Sequence, residues 1–175
     1  EPYTNGFEEI PIVGQLPAGL LWDDNNLYVA DTQNNNVRKF NSNYELLNTW
    51  TVPGPWLIKK SNNNMIFVTS YNNQLFQLYE TGAVEIIISD LAYPFGLEIL
   101  DDNSIWISEQ GGIDIPGAIR KWSFEGQYLD EILYNWDNPE GLQLDVFGNL
   151  WIADTGAGKI FRYTNDGTNP DIDTL

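Results

Sequence analysis

The chain of 175 residues contains no cysteine and no histidine. Without cysteine there is no disulfide framework, no thiol nucleophile and no zinc–thiolate site. Without histidine there is no imidazole metal site and no Ser-His or Cys-His catalytic pair. Any chemistry that the chain performs must therefore come from carboxylates, amides, hydroxyls, aromatic rings and a few basic groups.

Basic residues are scarce as well. Lysine and arginine together number 8, against 25 aspartates and glutamates, which gives a formal net charge of −17. Such a charge repels the phosphate backbone of nucleic acids and anionic lipid headgroups. No apolar run approaches the roughly 20 residues of a membrane-spanning helix. We therefore expect no nucleic-acid partner and no membrane insertion, and the acidic, cysteine-free composition favours an extracellular or cell-surface location.

What the sequence does have is one pattern repeated four times. Segments 27–31, 66–70, 105–109 and 150–154 each read as a short strand with an aromatic residue in second place. These aromatic residues recur after 39, 39 and 45 positions, and they are Tyr28, Phe67, Trp106 and Trp151. A period near 40 residues, built from short strands with strand-like alternation, is typical of β-propeller blades. The sequence therefore predicts an all-β chain, a β-propeller of four repeats.

The predicted organisation is one domain with blades at 14–53, 54–90, 91–134 and 135–175, the last including a tail that reads as turn and linker. The last repeat shows no recognisable fourth strand, and an unassigned strand precedes the first repeat within residues 1–13. We predict that this strand completes the last blade, either in its own chain or in a neighbouring subunit. Its apolar residues are candidates for assembly contacts: Phe7, Ile10, Ile12 and Val13.

The blade starts carry a second recurring signature. Pro17 begins Pro-Ala-Gly-Leu and Pro139 begins Pro-Glu-Gly-Leu, and each is followed by a strand that ends in Ala-Asp-Thr. This pattern resembles NHL repeats, a family of β-propellers. The resemblance implies a platform for protein or RNA binding, and related propellers include lactonases and lyases. The acidic charge argues against RNA and the absence of histidine against the lyases. A lactonase-like metal site built from Glu, Asn and Asp remains compatible with the composition.

Three carboxylates end the second strands at equivalent places in their repeats: Asp31, Glu109 and Asp154. If they lie at one level of a ring they could gather Ca²⁺, which prefers oxygen ligands. An aspartate at such a place also hydrogen-bonds backbone amides and fixes the following turn. Recurrence favours the turn-fixing role, because a binding site is normally asymmetric. We therefore expect no cofactor. In the alternative, in which the carboxylates bind a metal ion, we expect that ion to be Ca²⁺.

Binding candidates come from aromatic residues and from one inserted loop. Trp56 and Trp136 lie near the joins between repeats, where they could stack on a sugar or pack one blade on the next. The third repeat has the longest loop, residues 110–118, which includes Gly112 and Asp114. Insertions on one face of a repeat protein often carry binding.

These observations predict a non-catalytic, extracellular β-propeller that acts as a protein-interaction or building-block module and self-associates. In this interpretation the chain is not an enzyme. Two alternatives stay open. One is a metal-dependent, lactonase-like hydrolase that uses channel carboxylates such as Glu109 and Asp154. The other is a glycan-binding lectin that uses Trp56, Trp136 and the loop of the third repeat.

Overall fold

The computed structural model describes residues 16–164 and the backbone of residues 171–174. All regular elements in this part of the chain are β-strands, so it contains no helix long and apolar enough to cross a membrane. The strands are β1 Pro17–Asp23, β2 Asn26–Asp31, β3 Asn36–Asn41, β4 Leu46–Thr51, β5 Pro55–Lys60, β6 Ile66–Ser70, β7 Gln74–Leu78, β8 Val84–Ile88, β9 Pro94–Ile99, β10 Ser104–Glu109, β11 Ala118–Ser123, β12 Tyr128–Glu131, β13 Pro139–Leu144, β14 Leu150–Asp154, β15 Lys159–Thr164 and β16 Asp171–Thr174.

The strands form four antiparallel sheets of four strands each, and every sheet uses four consecutive strands. Sheet 1 contains β1–β4, sheet 2 β5–β8, sheet 3 β9–β12 and sheet 4 β13–β16. In every sheet the proline that begins the first strand pairs with the residue that ends the second strand, as Pro94 pairs with Glu109. The repeated sequence pattern therefore corresponds to a repeated strand register.

Apolar cores lie between successive sheets. Because side chains alternate across a strand, Tyr28 and Ala30 of β2 point toward sheet 2 and pack with Ile58 and Val68 of that sheet. Equivalent cores join sheet 2 to sheet 3 and sheet 3 to sheet 4. Each described sheet is thus stabilised mainly by burying its faces against its neighbours, since a single sheet has no closed core of its own.

The first strands approach one another closely where two sheets meet. A Cβ atom on Gly19 of β1 would lie 2.2 Å from the carbonyl oxygen of Trp56 in β5. A Cβ atom on Gly96 of β9 would lie 2.3 Å from the carbonyl oxygen of Glu140 in β13. This contact explains the glycine of the Pro-x-Gly motif, because any side chain there would collide with the backbone of the next sheet.

The fourth strand of sheet 4 comes from the C-terminal tail. β16 pairs with β15 along residues 171–174, so the prediction that this tail is turn and linker is wrong for that segment. The sequence Asp-Ile-Asp-Thr is too short and polar to be recognised as a strand, and its pairing depends on the free edge that β15 offers. The edge of β15 that was assigned to Phe7–Val13 is occupied by β16, and completion by the N-terminal strand is not confirmed. That strand lies outside the described residues.

Candidate functional site

Two neighbouring cavities lie at the end of the sheets where the first strands begin, which we call the proline end. One is a groove along the first strands of sheets 2, 3 and 4, the first-strand groove, with a volume of about 400 Å³. The other is a cavity of about 430 Å³ between sheets 3 and 4, the loop cavity, which the 110–117 connection helps to enclose. Grooves of this size suit small organic ligands.

The first-strand groove has an aromatic wall. Trp56 of β5 and Phe95 of β9 are half-buried, and their ring centroids lie 4.8 Å apart with the planes inclined by 54°. Both residues directly follow the proline of their first strand, so the repeat places them side by side on adjacent sheets. Together they form an apolar surface against which a flat molecule can pack.

Polar groups border this wall. Lys59, Glu140 and Gln143 line the same groove. Lys59 Nζ lies 2.6 Å from Oε1 of Glu98, a carboxylate whose side chain is only 7% exposed. Burial raises the pKa of Glu98, although the adjacent Lys59 ammonium opposes this shift. A buried carboxylate with a raised pKa and a single cationic partner is typical of functional sites, although structural ion pairs share the feature.

Glu140 connects the groove to the loop cavity. Its Oε1 accepts a hydrogen bond of 2.7 Å from Nε2 of Gln110 and one of 3.4 Å from Nδ2 of Asn138. Both donors line the loop cavity, whereas Glu140 lines the groove. The side chain of Glu140 is therefore held in place by two amides. Hydrogen bonds thus link the lining of the groove to that of the loop cavity.

The structure separates the binding candidates that the sequence suggested. Gly112 and Trp136 both line the loop cavity, whereas Trp56 lies in the first-strand groove. The Trp136 ring is mostly buried: it packs on Phe161, and its Nε1 donates to the carbonyl of Ile132 at 2.9 Å. Asp114 is exposed at the loop tip with a φ of 63° and does not line either cavity.

The three strand-end carboxylates are buried in separate sheets. Asp31 lies 2.8 Å from Arg38. Glu109 contacts Arg120 at 2.8 Å. Asp154 accepts a hydrogen bond of 2.9 Å from the backbone amide of Asp137. Within residues 16–164 the structure brings no three carboxylates together in an arrangement that could hold a metal ion.

Sequence reasoning did not single out Lys59 and Glu140. A usable signal was nevertheless present for Glu140, because it occupies the same place after the proline as Trp56 and Phe95. Aligning that one column of the repeats would have placed all three on one surface. Lys59 offered no comparable signal, since its equivalents Glu98 and Gln143 share only polarity.

Comparison with known proteins identifies the fold. No protein-family profile matches the sequence, and no curated protein sequence matches it either. Among solved structures, the chain is similar to virginiamycin B lyase from Staphylococcus aureus, with a TM-score of 0.75 and 16% identity over 91% of this chain and 55% of that one. It is also similar to a putative gluconolactonase, with a TM-score of 0.76 and 16% identity over 93% of this chain and 64% of that one. A structure of a nidogen/laminin complex gives a TM-score of 0.79 and 17% identity over 93% of this chain and 65% of that one.

At these identities the likeness shows the fold alone, and the fold is a β-propeller. The chain spans 55% to 65% of the length of these three proteins. The finer resemblance to NHL repeats is not confirmed.

The comparison also corrects one prediction. The chain was expected not to be an enzyme, and that expectation is wrong as an inference from the fold, because the similar propellers include a lyase and a putative gluconolactonase. The absence of histidine removes particular reactions from the chain, but it does not remove catalysis by carboxylates and lysine.

Proposed function

We propose that the protein is a β-propeller that binds a small polyhydroxylated ring molecule, a sugar or a sugar lactone, in the first-strand groove. The observation that carries this proposal is the Trp56–Phe95 wall beside the carboxylate of Glu140 and the ammonium of Lys59. The apolar face of a sugar ring packs on aromatic rings, and its hydroxyls hydrogen-bond to charged groups at the rim. A groove with an apolar wall and few convergent polar groups suits this class of ligand.

A second candidate function is hydrolysis of a bound lactone, which is favoured by the presence of both Glu140 and Lys59 among the residues that line the groove and by the fold likeness to a putative gluconolactonase. Glu140 would take a proton from water as the water oxygen bonds to the lactone carbonyl carbon. Lys59 would stabilise the resulting oxyanion. The ring C–O bond then breaks, and the proton passes from Glu140 to the departing alkoxide. No metal ion enters this scheme.

The binding proposal is tested by calorimetric titration with glucose, gluconate and glucono-lactone. We expect binding to the wild type and at least a 10-fold loss in Trp56→Ala, because the variant removes half of the aromatic wall. Phe147→Ala is the matched control, since Phe147 is an 87% exposed ring in the turn between β13 and β14, at the opposite end of the sheets. Equal affinity in the wild type and Trp56→Ala, or no binding to any of the three, would contradict the proposal.

Hydrolysis is followed separately by the acid released from glucono-lactone at constant pH, above the spontaneous rate. We expect Glu140→Gln to retain most of the binding and to lose at least 100-fold in rate, and EDTA to leave the rate unchanged. A rate that depends on added Ca²⁺, or one that Glu140→Gln leaves intact, would reject this scheme without affecting the binding proposal.

A further inference from the structure

One face of sheet 1 is exposed, although the equivalent faces of the other three sheets are buried. The fourth residue of each first strand packs against the preceding sheet, and Ile58, Leu97 and Leu142 are 1%, 0% and 8% exposed there. Leu20 occupies the same place in β1 and is 65% exposed. Trp22, two residues further along the same face, is 57% exposed. We call Leu20 and Trp22 the start face.

The last sheet has the complementary open face. Gly141 and Ala153 of sheet 4 repeat Gly19 and Ala30 of sheet 1, the pair that lets sheet 2 approach closely. The nearest neighbour of a Cβ atom on Gly141 would be Ala153 of its own sheet, at 3.3 Å, rather than the carbonyl of another sheet. Gly141 is accordingly exposed.

Other residues extend this open surface. Ile160 repeats the position of Val37, which is 0% exposed, yet Ile160 is 48% exposed. A largely apolar hollow of about 210 Å³ is lined by Gly141, Trp151, Ala153 and Ile160 together with their neighbours. We call these four residues the end face. The first strands pack side by side in succession, β1 with β5, β5 with β9 and β9 with β13. Among the described strands β13 does not pack beside β1 in this way, so the two faces do not cover each other.

We propose that the end face binds the start face of a second copy of this chain, in continuation of the three joins inside the chain. In the join between sheets 1 and 2, Ile58 packs in one core with Tyr28, Ala30 and Val37. By the same register, Leu20 of the second copy packs among the equivalents of those three residues on sheet 4, which are Trp151, Ala153 and Ile160.

The second copy is the occupant because this chain carries both halves of the join. The carbonyl of Ala18 is equivalent to those of Trp56 and Glu140, which lie against Gly19 and Gly96. It would meet Gly141 in the same manner. The proposed join between copies does not depend on the proposed ligand, since it follows from the repeat register alone.

A join of this kind is head-to-tail, so each copy uses one face to bind and leaves the other free. The assembly therefore closes into a ring or grows as an open chain. Because each copy carries a formal net charge of −17, the copies repel one another at low ionic strength. Association should therefore strengthen when the salt concentration rises from 0.05 to about 0.5 M, as screening shortens to a few ångströms.

The test is a mixing experiment with two variants, followed by light scattering after size-exclusion chromatography. Leu20→Lys disables the start face and Ile160→Lys the end face, and both side chains are exposed enough for the single chain to keep its fold. We expect the wild type to associate and each variant alone to be monomeric, with at least a 100-fold weaker association, because an unpaired ammonium would be buried in the join. An equimolar mixture should restore one join and give a species of twice the monomer mass and no larger.

Ile86→Lys serves as the control, because Ile86 is a 53% exposed residue of β8 outside both faces, and this variant should associate like the wild type. Circular dichroism melts establish that all variants are folded. A wild type that stays monomeric up to about 1 mM at high salt overturns the proposal. So does a mixture of the two variants that stays monomeric, or association that neither variant weakens.

Discussion

Glu109→Ala tests what the strand-end carboxylates do. The Glu109 carboxylate is 1% exposed and ends β10 at the proline end. Its Oε2 accepts a hydrogen bond of 2.6 Å from the backbone amide of Ala92, and its Oε1 lies 2.8 Å from Nη1 of Arg120. The substitution therefore removes the acceptor of a backbone amide in the connection between sheets 2 and 3 and one partner of an arginine.

The size of the loss follows from these contacts. Removing one partner of a buried ion pair costs about 3–5 kcal/mol, mostly because the other charge is left without compensation. Here Arg120 keeps Glu131 at 3.2 Å and its side chain is 32% exposed, so its charge stays partly solvated and paired. We therefore expect the lower end, about 3 kcal/mol, which corresponds to roughly 6–12 °C in melting temperature for a domain of this size.

The assay is urea unfolding followed by tryptophan fluorescence, with and without about 5 mM Ca²⁺. Glu131→Ala is the matched control, because it removes the other, 26% exposed partner of Arg120 and should cost less than about 1 kcal/mol. A loss below about 1 kcal/mol in Glu109→Ala would refute the turn-fixing argument. Stabilisation of the wild type by Ca²⁺ that Glu109→Ala abolishes would instead identify a metal ligand.

Two further predictions concern the joins and the acid limit of stability. Ser108 Oγ accepts from the amide of Gly96 and donates to the carbonyl of Glu140, both at 2.7 Å, so Ser108→Ala leaves two polar groups unpaired and should cost about 2–4 kcal/mol in urea unfolding. Hydrogen bonds led by that of the Asn149 side chain lower the pKa of Asp145 from 3.8 to about 2. Its contribution to stability is therefore complete above pH 3.8 and is lost as the pH falls toward 2. In acid melts, Asp145→Asn should be less stable than the wild type at pH 6 and should converge with it near pH 2, whereas a constant difference would contradict this assignment.

Most of the fold could be predicted because its signals are local. Alternation within five or six residues sets which side chains face a neighbouring sheet, and the Asn, Asp and Gly turns set where a strand ends. β16 could not be predicted in this way, because four mostly polar residues become a strand only when the edge of β15 is available to them. The same local signals favour Phe7–Val13 as the missing fourth strand, because that segment has the stronger strand pattern.

Only part of the candidate site could be predicted from the sequence, for a related reason. Trp56 and Trp136 stood out as aromatic residues near the joins, but the sequence does not indicate that one lines a groove while the other is mostly buried. That difference depends on the packing of first strands from three sheets, about 40 residues apart. Lys59 and Glu140 become partners of Trp56 only through this packing.

One residue belongs to both the proposed ligand site and the proposed contact between copies. Gly141 lines the first-strand groove and also belongs to the end face of sheet 4. If the carbonyl of Ala18 from a second copy lies against Gly141, as those of Trp56 and Glu140 lie against Gly19 and Gly96, the incoming first strand extends the wall of the groove. Ligand binding and association would then be linked thermodynamically, and the linkage would be reciprocal, because each would stabilise the same arrangement of first strands. The repeat that builds the fold thus determines both where a ligand has a wall to pack on and where the next copy can continue it.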